Sequence, residues 1–218
     1  VDHSEGSEHL KQIDEIILDY FNPSNKNDNL PWIPRFGQAE AVEETVERVK
    51  AHNKCAVNGY TGFAKTMIAS GTVHEFYNTG AFVLFTTPII DTLNDVKDNF
   101  IGYHYPNSVL GLNSRKRHTR VYTKEDLNRI SIKEMREQAN AGDIVLFAVS
   151  VQAIRYKDDT QVEDEQSINS KYDELLDVEL DMWIKDERHL QYNGAITEKV
   201  FSKLEPNLLN LNSFAFFK

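Results

Sequence analysis

Hydrophobic positions along the chain form two kinds of run, one typical of buried strands and one of amphipathic helices. Three runs are almost continuously apolar, at residues 81–87, 143–149 and 180–185, and shorter runs span 54–58 and 120–122. Runs of this kind predict strands buried in a parallel sheet. Apolar residues recur at helical spacing in five further segments: 8–21, 38–51, 67–77, 89–100 and 124–141. The alternation of strands and helices predicts an α/β fold, with a mainly parallel central sheet flanked by helices.

Two polar segments interrupt this alternation. Residues 22–34 are rich in Asn and Pro and predict a loop. Residues 157–177 carry eight Asp or Glu and predict an insertion or mobile loop that is partly disordered. We therefore expect an N-terminal helix and loop extension over residues 1–33 and one α/β domain over residues 34–218.

A candidate phosphate-binding loop follows the run at 54–58. Residues 59–66 read Gly-Tyr-Thr-Gly-Phe-Ala-Lys-Thr, which fits the pattern G-x-x-x-x-G-K-[ST] except that Ala64 replaces the second glycine. In such loops backbone N–H groups surround phosphate, the lysine reaches the β- and γ-phosphates, and the Ser or Thr hydroxyl binds Mg²⁺. A helix that begins directly after the loop adds a favourable dipole. A glycine-containing turn between a strand and a helix is the alternative explanation.

An acidic pair, Asp186 and Glu187, follows the apolar run at 180–185. Hydrolysis of a nucleoside triphosphate needs one carboxylate to hold Mg²⁺ and another to orient or deprotonate water. Ligands of parallel sheets bind at the carboxyl ends of the strands, where this pair and the phosphate loop are both expected. His189 is placed to couple the nucleotide site to neighbouring elements. A charged turn after a strand explains the same residues without any chemistry.

Composition narrows the class of protein. The net charge of −10 argues against a surface coated with basic residues for nucleic acid, although the acid-free stretch 115–124 holds five Lys or Arg. A solvated charge run explains that stretch equally well. The single cysteine, Cys55, excludes an internal disulfide framework and a cysteine-rich zinc site, and the cytoplasm is the expected compartment. No apolar run is long enough to span a membrane.

Five segments, in order, resemble the first RecA-like motor domain of superfamily 2 helicases and translocases. The resemblance is closest to the DNA-dependent ATPases of restriction enzymes and to phage-type helicases. Residues 34–42 resemble the R-x-x-Q-x-x-A element, 59–66 resemble motif I, and 85–93 resemble motif Ia. Residues 148–154 resemble a later strand-end segment with Ser and Gln, and 183–189 resemble the DExH box. Together they extend over about residues 34–193, which is most of the chain.

This resemblance implies ATP and Mg²⁺ as cofactors. Lys65 would hold the β- and γ-phosphates, Asp186 would hold Mg²⁺ together with Thr66, and Glu187 would be the general base. Gln38 would read the adenine edge. The residues that would surround the nucleotide are Arg35, Gln38, Gly59, Thr61, Gly62, Phe63, Ala64, Lys65 and Thr66. The expected partners are a second RecA-like lobe and nucleic acid, either DNA, which the resemblance favours, or RNA. The nucleic acid would be contacted by Thr87, Pro88, Ser150 and Gln152.

Two departures from the family pattern affect activity. Ala64 adds a methyl group beside the triphosphate path and restricts the backbone. Residues 211–215 stand where a motif III of the Thr-Ala-Thr-Pro type is expected. Either Ser213 is its remnant, or the chain is cut or discontinuous there. We also expect the second lobe, which usually supplies an arginine finger, to lie outside these 218 residues, so the chain alone should hydrolyse ATP slowly.

Two alternatives remain. A degenerate lobe could bind nucleotide and partners without turnover, which the departures at Ala64 and at 211–215 favour. A small-molecule kinase would share the phosphate loop, but Gln38 upstream of that loop and the Asp186–Glu187 pair argue against it.

Overall fold

The computed structural model describes residues 11, 36–59, 63–77, 79–99, 119–154, 170–187, 201–209 and 213–217. Its strands are β1 (Lys54–Asn58), β2 (Ala81–Thr87), β3 (Thr119–Tyr122), β4 (Ile144–Ser150), β5 (Met182–Lys185) and β6 (Ser213–Phe217). Its α-helices are α1 (Phe36–His52), α2 (Lys65–Phe76), α3 (Ile90–Asn99), α4 (Ile132–Asn140) and α5 (Val151–Ile154). Short 3-10 helices span Asp126–Asn128, Ser170–Leu176 and Glu205–Asn207.

The strands form one sheet in the order β1-β6-β5-β2-β4-β3, and every pairing between neighbours is parallel. This arrangement confirms the predicted α/β fold with a parallel central sheet. Because all strands run the same way, their carboxyl ends meet at one edge. That edge brings together Gly59, Pro88, Val151 and Asp186, each of which directly follows a strand.

Helices cover both faces of the sheet, and each face has its own hydrophobic core. On one face, Val83 and Phe85 of β2 pack with residues of α1, α2 and α3. On the other face, Phe82 and Leu84 pack with α4, with the Ser170–Leu176 helix and with residues of 201–209. Burial of an aliphatic or aromatic side chain of this size stabilises a fold by about 1.5–3 kcal/mol. The two-sided burial explains why β2 is apolar at consecutive positions rather than at alternate ones.

Most elements lie where the pattern of hydrophobic positions predicts them, but the helical stretch predicted at 124–141 is two elements. A 3-10 turn, Asp126–Asn128, precedes α4. Ser131 starts α4 with a capping box: its hydroxyl accepts from the Glu134 N–H, and the Glu134 carboxylate accepts from the Ser131 N–H. Because this cap satisfies the free donors of a helix N-terminus, the helix begins here and not earlier.

The acidic stretch predicted as a loop is partly structured. Its last residues form the 3-10 helix Ser170–Leu176, in which Tyr172 and Leu175 are buried. Burial of Tyr172 and Leu175 thus orders this segment despite the polar residues around them. The loop prediction is wrong for residues 170–176. Residues 157–169 lie outside the described residues, as do the helix predicted at 8–21, apart from Lys11, and the loop predicted at 22–34.

One strand was not predicted. Ser213–Phe217, which overlaps the segment expected to stand in place of motif III, forms β6, an inner strand between β1 and β5. Lys54 pairs with Ser213, and Trp183 pairs with the same residue from the other side.

In the part of the chain that the structure describes, no helix is both long enough and apolar enough to cross a membrane.

Candidate nucleotide-binding site

The phosphate loop joins β1 to α2 at the carboxyl edge of the sheet. Tyr60, Thr61 and Gly62 lie outside the described residues, but both ends of the loop are described. A Cβ atom added to Gly59 would be in ordinary contact with the Lys65 Cγ atom, at 3.4 Å, so the lysine stem lies against Gly59. Thr66 is half-buried in the first turn of α2.

Ala64 has a left-handed backbone, with φ 57° and ψ 49°. This conformation favours glycine, and for an L-residue with a Cβ atom it costs about 1–2 kcal/mol. Hydrogen bonds stabilise this strained conformation, because Ala64 is the N-cap of α2. Its carbonyl accepts from the N–H groups of Met67 at 2.9 Å and Ile68 at 3.1 Å. The residue that departs from the phosphate-loop pattern therefore adopts the backbone that the usual glycine would adopt freely.

Lys65 and Glu187 are in direct contact although 122 residues separate them in the sequence. The Lys65 Nζ atom lies 2.5 Å from Glu187 Oε1, and the two side chains are only 14% and 12% exposed. Solvent therefore screens these two charges less than it screens an exposed pair, so their Coulomb attraction is larger. Glu187 has φ 44°, so the backbone leaves the direction of β5 at this residue.

Asp186, directly after β5, is 6% exposed. Its N–H donates to the Thr86 carbonyl at 2.8 Å, and its Oδ2 atom accepts from the Thr87 hydroxyl at 3.1 Å. Burial raises the pKa of the Asp186 carboxyl, while the hydrogen bond from Thr87 and the charge of Lys65 oppose that rise. A buried carboxylate of this kind would gain from a cation beside it.

The donor atoms near Asp186 fit Mg²⁺ better than a softer metal. Among the described residues, no cluster of three or more His, Cys, Asp and Glu side chains is arranged to hold a metal ion. Mg²⁺ is usually held in proteins by one or two oxygen ligands together with phosphates and water. The Asp186 carboxylate and the Thr66 hydroxyl supply oxygen of that kind.

Gln38, predicted to bind adenine, is a buried residue of α1, and its Nε2 atom donates to the Phe63 carbonyl at 3.2 Å. The hydrogen bond ties α1 to the phosphate loop, so Gln38, Phe63, Ala64 and Lys65 belong to one local structure. Arg35 and His189 lie outside the described residues.

The four residues predicted to contact nucleic acid lie together at the ends of β2 and β4, where Thr87 pairs with Ser150. Thr87, Pro88 and Ser150 are buried, whereas Gln152 is exposed and its Nε2 atom donates to the Pro88 carbonyl at 3.0 Å. The Ser150 hydroxyl accepts from the Ala153 N–H at 3.2 Å. Of the four side chains, only that of Gln152 is at the surface.

Where it is described, the basic stretch at 115–124 supplies cations that pair with acids of the chain itself. Arg120, near the amino end of β3, pairs with Asp143 at a distance of 2.5 Å, and Lys124, just past the carboxyl end of β3, lies 3.7 Å from Glu125. Both of these cations are therefore partnered within the chain. Residues 115–118 lie outside the described residues.

Sequence reasoning missed the contact between Thr87 and Asp186. Only the strand order reveals this contact, because β2 and β5 are parallel neighbours in which Thr86 pairs with Lys185. Thr87 and Asp186, which directly follow these two residues, therefore lie at the same level at the carboxyl edge of the sheet. Without knowledge that β5 lies beside β2, Thr87 resembles an ordinary strand-end residue.

A comparison with protein families supports the reading of these elements. The family model described as "type III restriction enzyme, res subunit" matches residues 32–212, which is most of the chain. A search of curated proteins finds no match. The matched region contains the phosphate loop, the Asp186–Glu187 pair and all of β1 to β5. The resemblance to superfamily 2 motor domains is thus confirmed, and the chain belongs to the type III restriction enzyme res-subunit family as a RecA-like, helicase-type ATP-binding motor domain.

Proposed function

We propose that this chain is the N-terminal ATP-binding lobe of an ATP-dependent helicase or translocase, which binds ATP and Mg²⁺ and couples hydrolysis to movement on DNA. The observation that carries the proposal is the contact between Lys65 and Glu187, with Asp186 beside them at the carboxyl edge of the sheet. A phosphate-binding cation, a metal-binding carboxylate and a general base are the groups that triphosphate hydrolysis requires.

Each side chain has a role that its surroundings support. Lys65 holds the β- and γ-phosphates, and Thr66 and Asp186 hold Mg²⁺, which supplies charge neutralisation when it is bound. Glu187 accepts a proton from the attacking water. Because Glu187 is paired with Lys65 in this structure, phosphate that occupies the lysine would also release the carboxylate for that task.

The hydrogen bond from the Gln38 amide to the carbonyl of Phe63, at the end of the phosphate loop, supports a role for Gln38 in sensing the nucleotide. In the proposal its side-chain amide reads the adenine edge. Arg35 is proposed to lie nearby, and Gly59, Thr61 and Gly62 to line the phosphates. His189 is proposed to couple this site to the rest of the motor.

The nucleic-acid side of the proposal uses the same edge of the sheet. Gln152 and the exposed residues Ile89 and Ile90 flank the ends of β2 and β4. A chain with a net charge of −10 would confine contact with DNA to a local surface of this kind. A second RecA-like lobe is proposed to close on the nucleotide and supply an arginine.

The test is the ATPase activity of the full-length parent protein, with and without single-stranded or duplex DNA. We expect Lys65→Ala and Glu187→Gln to lower the DNA-stimulated rate by about 100-fold or more, as loss of a principal catalytic group does. Lys133→Ala and Glu44→Gln are matched controls, because both side chains are exposed and their ion pairs, with Asp177 and Arg48, involve no residue of the site.

Two outcomes would count against the proposal. Turnover that ignores both Lys65→Ala and Glu187→Gln would place hydrolysis elsewhere in the parent protein. ATP binding by the wild type without any turnover, with or without DNA, would instead support a degenerate nucleotide-binding lobe.

A further inference from the structure

Thr87, the last residue of β2, has a fully buried hydroxyl with two well-defined partners. Its Oγ1 atom lies 3.1 Å from Asp186 Oδ2 and accepts from the Ile89 N–H at 3.2 Å. The Ile89 carbonyl, at 3.5 Å, competes poorly for the hydroxyl proton, because the carboxylate is both closer and charged. Thr87 therefore donates to the candidate metal ligand and accepts from the residue that precedes α3.

The preceding residue, Thr86, has a different partner set. Its Oγ1 atom accepts from Trp183 Nε1 at 2.9 Å and lies 3.3 Å from the Ile184 carbonyl. Side chains of successive strand residues point to opposite faces, which separates the two hydroxyls. Thr86 supports the core around Trp183, whereas Thr87 faces the site. The pair thus offers a matched comparison between two buried hydroxyls one residue apart.

The residue that donates a hydrogen bond to Thr87, Ile89, lies at the surface. Ile89 and Ile90 are 40% and 58% exposed, and Gln152 donates to the carbonyl of the adjacent Pro88 at 3.0 Å. A strand bound over residues 88–90 would shift or fix the Ile89 N–H. Because that N–H and Asp186 share one hydroxyl, the position of the exposed segment is tied to the orientation of the carboxylate.

We propose that Thr87 is a positioning residue, whose hydroxyl holds Asp186 ready to bind Mg²⁺ and links this carboxylate to the nucleic-acid contact at residues 88–90. The inference rests on the proposed function and assigns to Thr87 a part in it other than direct contact with DNA. A hydrogen bond to a charged group corresponds to roughly a 10-fold or larger change in an equilibrium. Its loss should therefore weaken Mg²⁺-dependent nucleotide binding by about that factor.

The test compares Thr87→Val, which removes the hydroxyl at nearly constant shape, with Thr87→Ser, which keeps it, in the full-length protein. Affinity for a fluorescent ATP analogue is measured in EDTA and across a Mg²⁺ titration, each with and without single-stranded DNA. Thr87→Val should bind the ATP analogue in EDTA as tightly as the wild type does. The increase in affinity that Mg²⁺ provides should be about 10-fold smaller in this variant. DNA should no longer shift the Mg²⁺ concentration at which half of that increase is reached. Thr87→Ser should restore both responses.

Thr86→Val is the control for a merely structural effect. It should lower the melting temperature through Trp183 while leaving the Mg²⁺ midpoint unchanged. Should Thr87→Val fail to fold, Thr87→Cys, whose thiol is a weak donor, provides the same comparison.

The inference is overturned if Thr87→Val responds to Mg²⁺ and DNA as the wild type does, or if Thr87→Ser is impaired as much as Thr87→Val. In either case the wild type still gains ATP affinity from Mg²⁺, and the proposed function stands. If the wild type itself shows no Mg²⁺-dependent ATP binding, the proposed function fails, and this inference fails with it.

Discussion

Lys65 and Glu187 neutralise each other across the phosphate site, with 2.5 Å between the ammonium nitrogen and the nearer carboxylate oxygen. Both residues are mostly sheltered from solvent, so the pair is held in surroundings where its electrostatic energy is large. A nucleotide that binds Lys65 must compete with this carboxylate. The same residue that serves hydrolysis therefore opposes binding.

Glu187→Gln should separate these two effects. The neutral amide still accepts a hydrogen bond from Lys65, but it no longer holds the ammonium by charge. We expect ATP to bind about 5- to 10-fold more tightly, which corresponds to roughly 1 kcal/mol, even though turnover is lost. Titration calorimetry with ATP or with ADP measures the change. Glu44→Gln, at the exposed pair with Arg48, should leave the affinity as it is. Weaker ATP binding by Glu187→Gln would show that the pair of Lys65 and Glu187 does not compete with phosphate.

Ala64→Gly should stabilise the chain. Glycine adopts φ 57° without the cost that Ala64 bears, and the relief exceeds the extra entropy of glycine in the unfolded chain. We expect a gain of about 0.5–1 kcal/mol, or roughly 1–4 °C in melting temperature for a domain of this size.

The control for Ala64→Gly is Ala41→Gly, in the interior of α1, where the backbone is helical. Glycine at such a position costs about 1 kcal/mol, so the two substitutions should move the melting temperature in opposite directions. A loss of stability in both variants would mean that Ala64 is not strained in solution.

Much of this site was accessible from the sequence because its signals are local. The phosphate loop is a run of eight residues, and the acidic pair follows directly on an apolar strand. β2 was predicted at its observed bounds, because a strand buried on both faces has no polar positions. In each case the residues that carry the signal are adjacent in the chain.

What the sequence did not reveal depends on partners far away in the chain. β6 is stabilised by β1, more than 150 residues earlier, and its five residues alone do not distinguish an inner strand from a loop. The hydrogen bond from Thr87 to Asp186 likewise spans 99 residues and requires β5 beside β2. The loop pattern also left the sign of φ at Ala64 open, since φ follows from the cap of α2.

Gly80→Ala should destabilise the fold strongly. A Cβ atom at Gly80 would lie 2.0 Å from the Ala139 carbonyl oxygen and 2.8 Å from that of Asp143, and backbone atoms cannot move aside as a flexible side chain can. We expect a loss of about 2–3 kcal/mol or more in chemical denaturation. Gly37→Ala is the matched control, because a Cβ atom there meets nothing within 4 Å and α1 should gain slightly. Equal stability of the two variants would contradict the close approach at Gly80.

Asp186→Asn should make the chain more stable at neutral pH, at the expense of activity. Burial raises the pKa of Asp186 in the folded state, so folding is favoured while the carboxyl is protonated, and this contribution is lost as the pH rises through the folded pKa. The amide carries no charge and escapes the penalty. Melting temperatures in EDTA should therefore be higher for Asp186→Asn than for the wild type at pH 7–8. This difference should close as the pH falls toward about 4, the ordinary pKa of aspartate.

The control is Asp177→Asn, on a side chain that is 65% exposed, which should keep a melting temperature close to that of the wild type throughout. A gap for Asp186→Asn that is absent at pH 8, or that widens in acid, would show that Lys65 and Thr87 outweigh burial at this carboxylate.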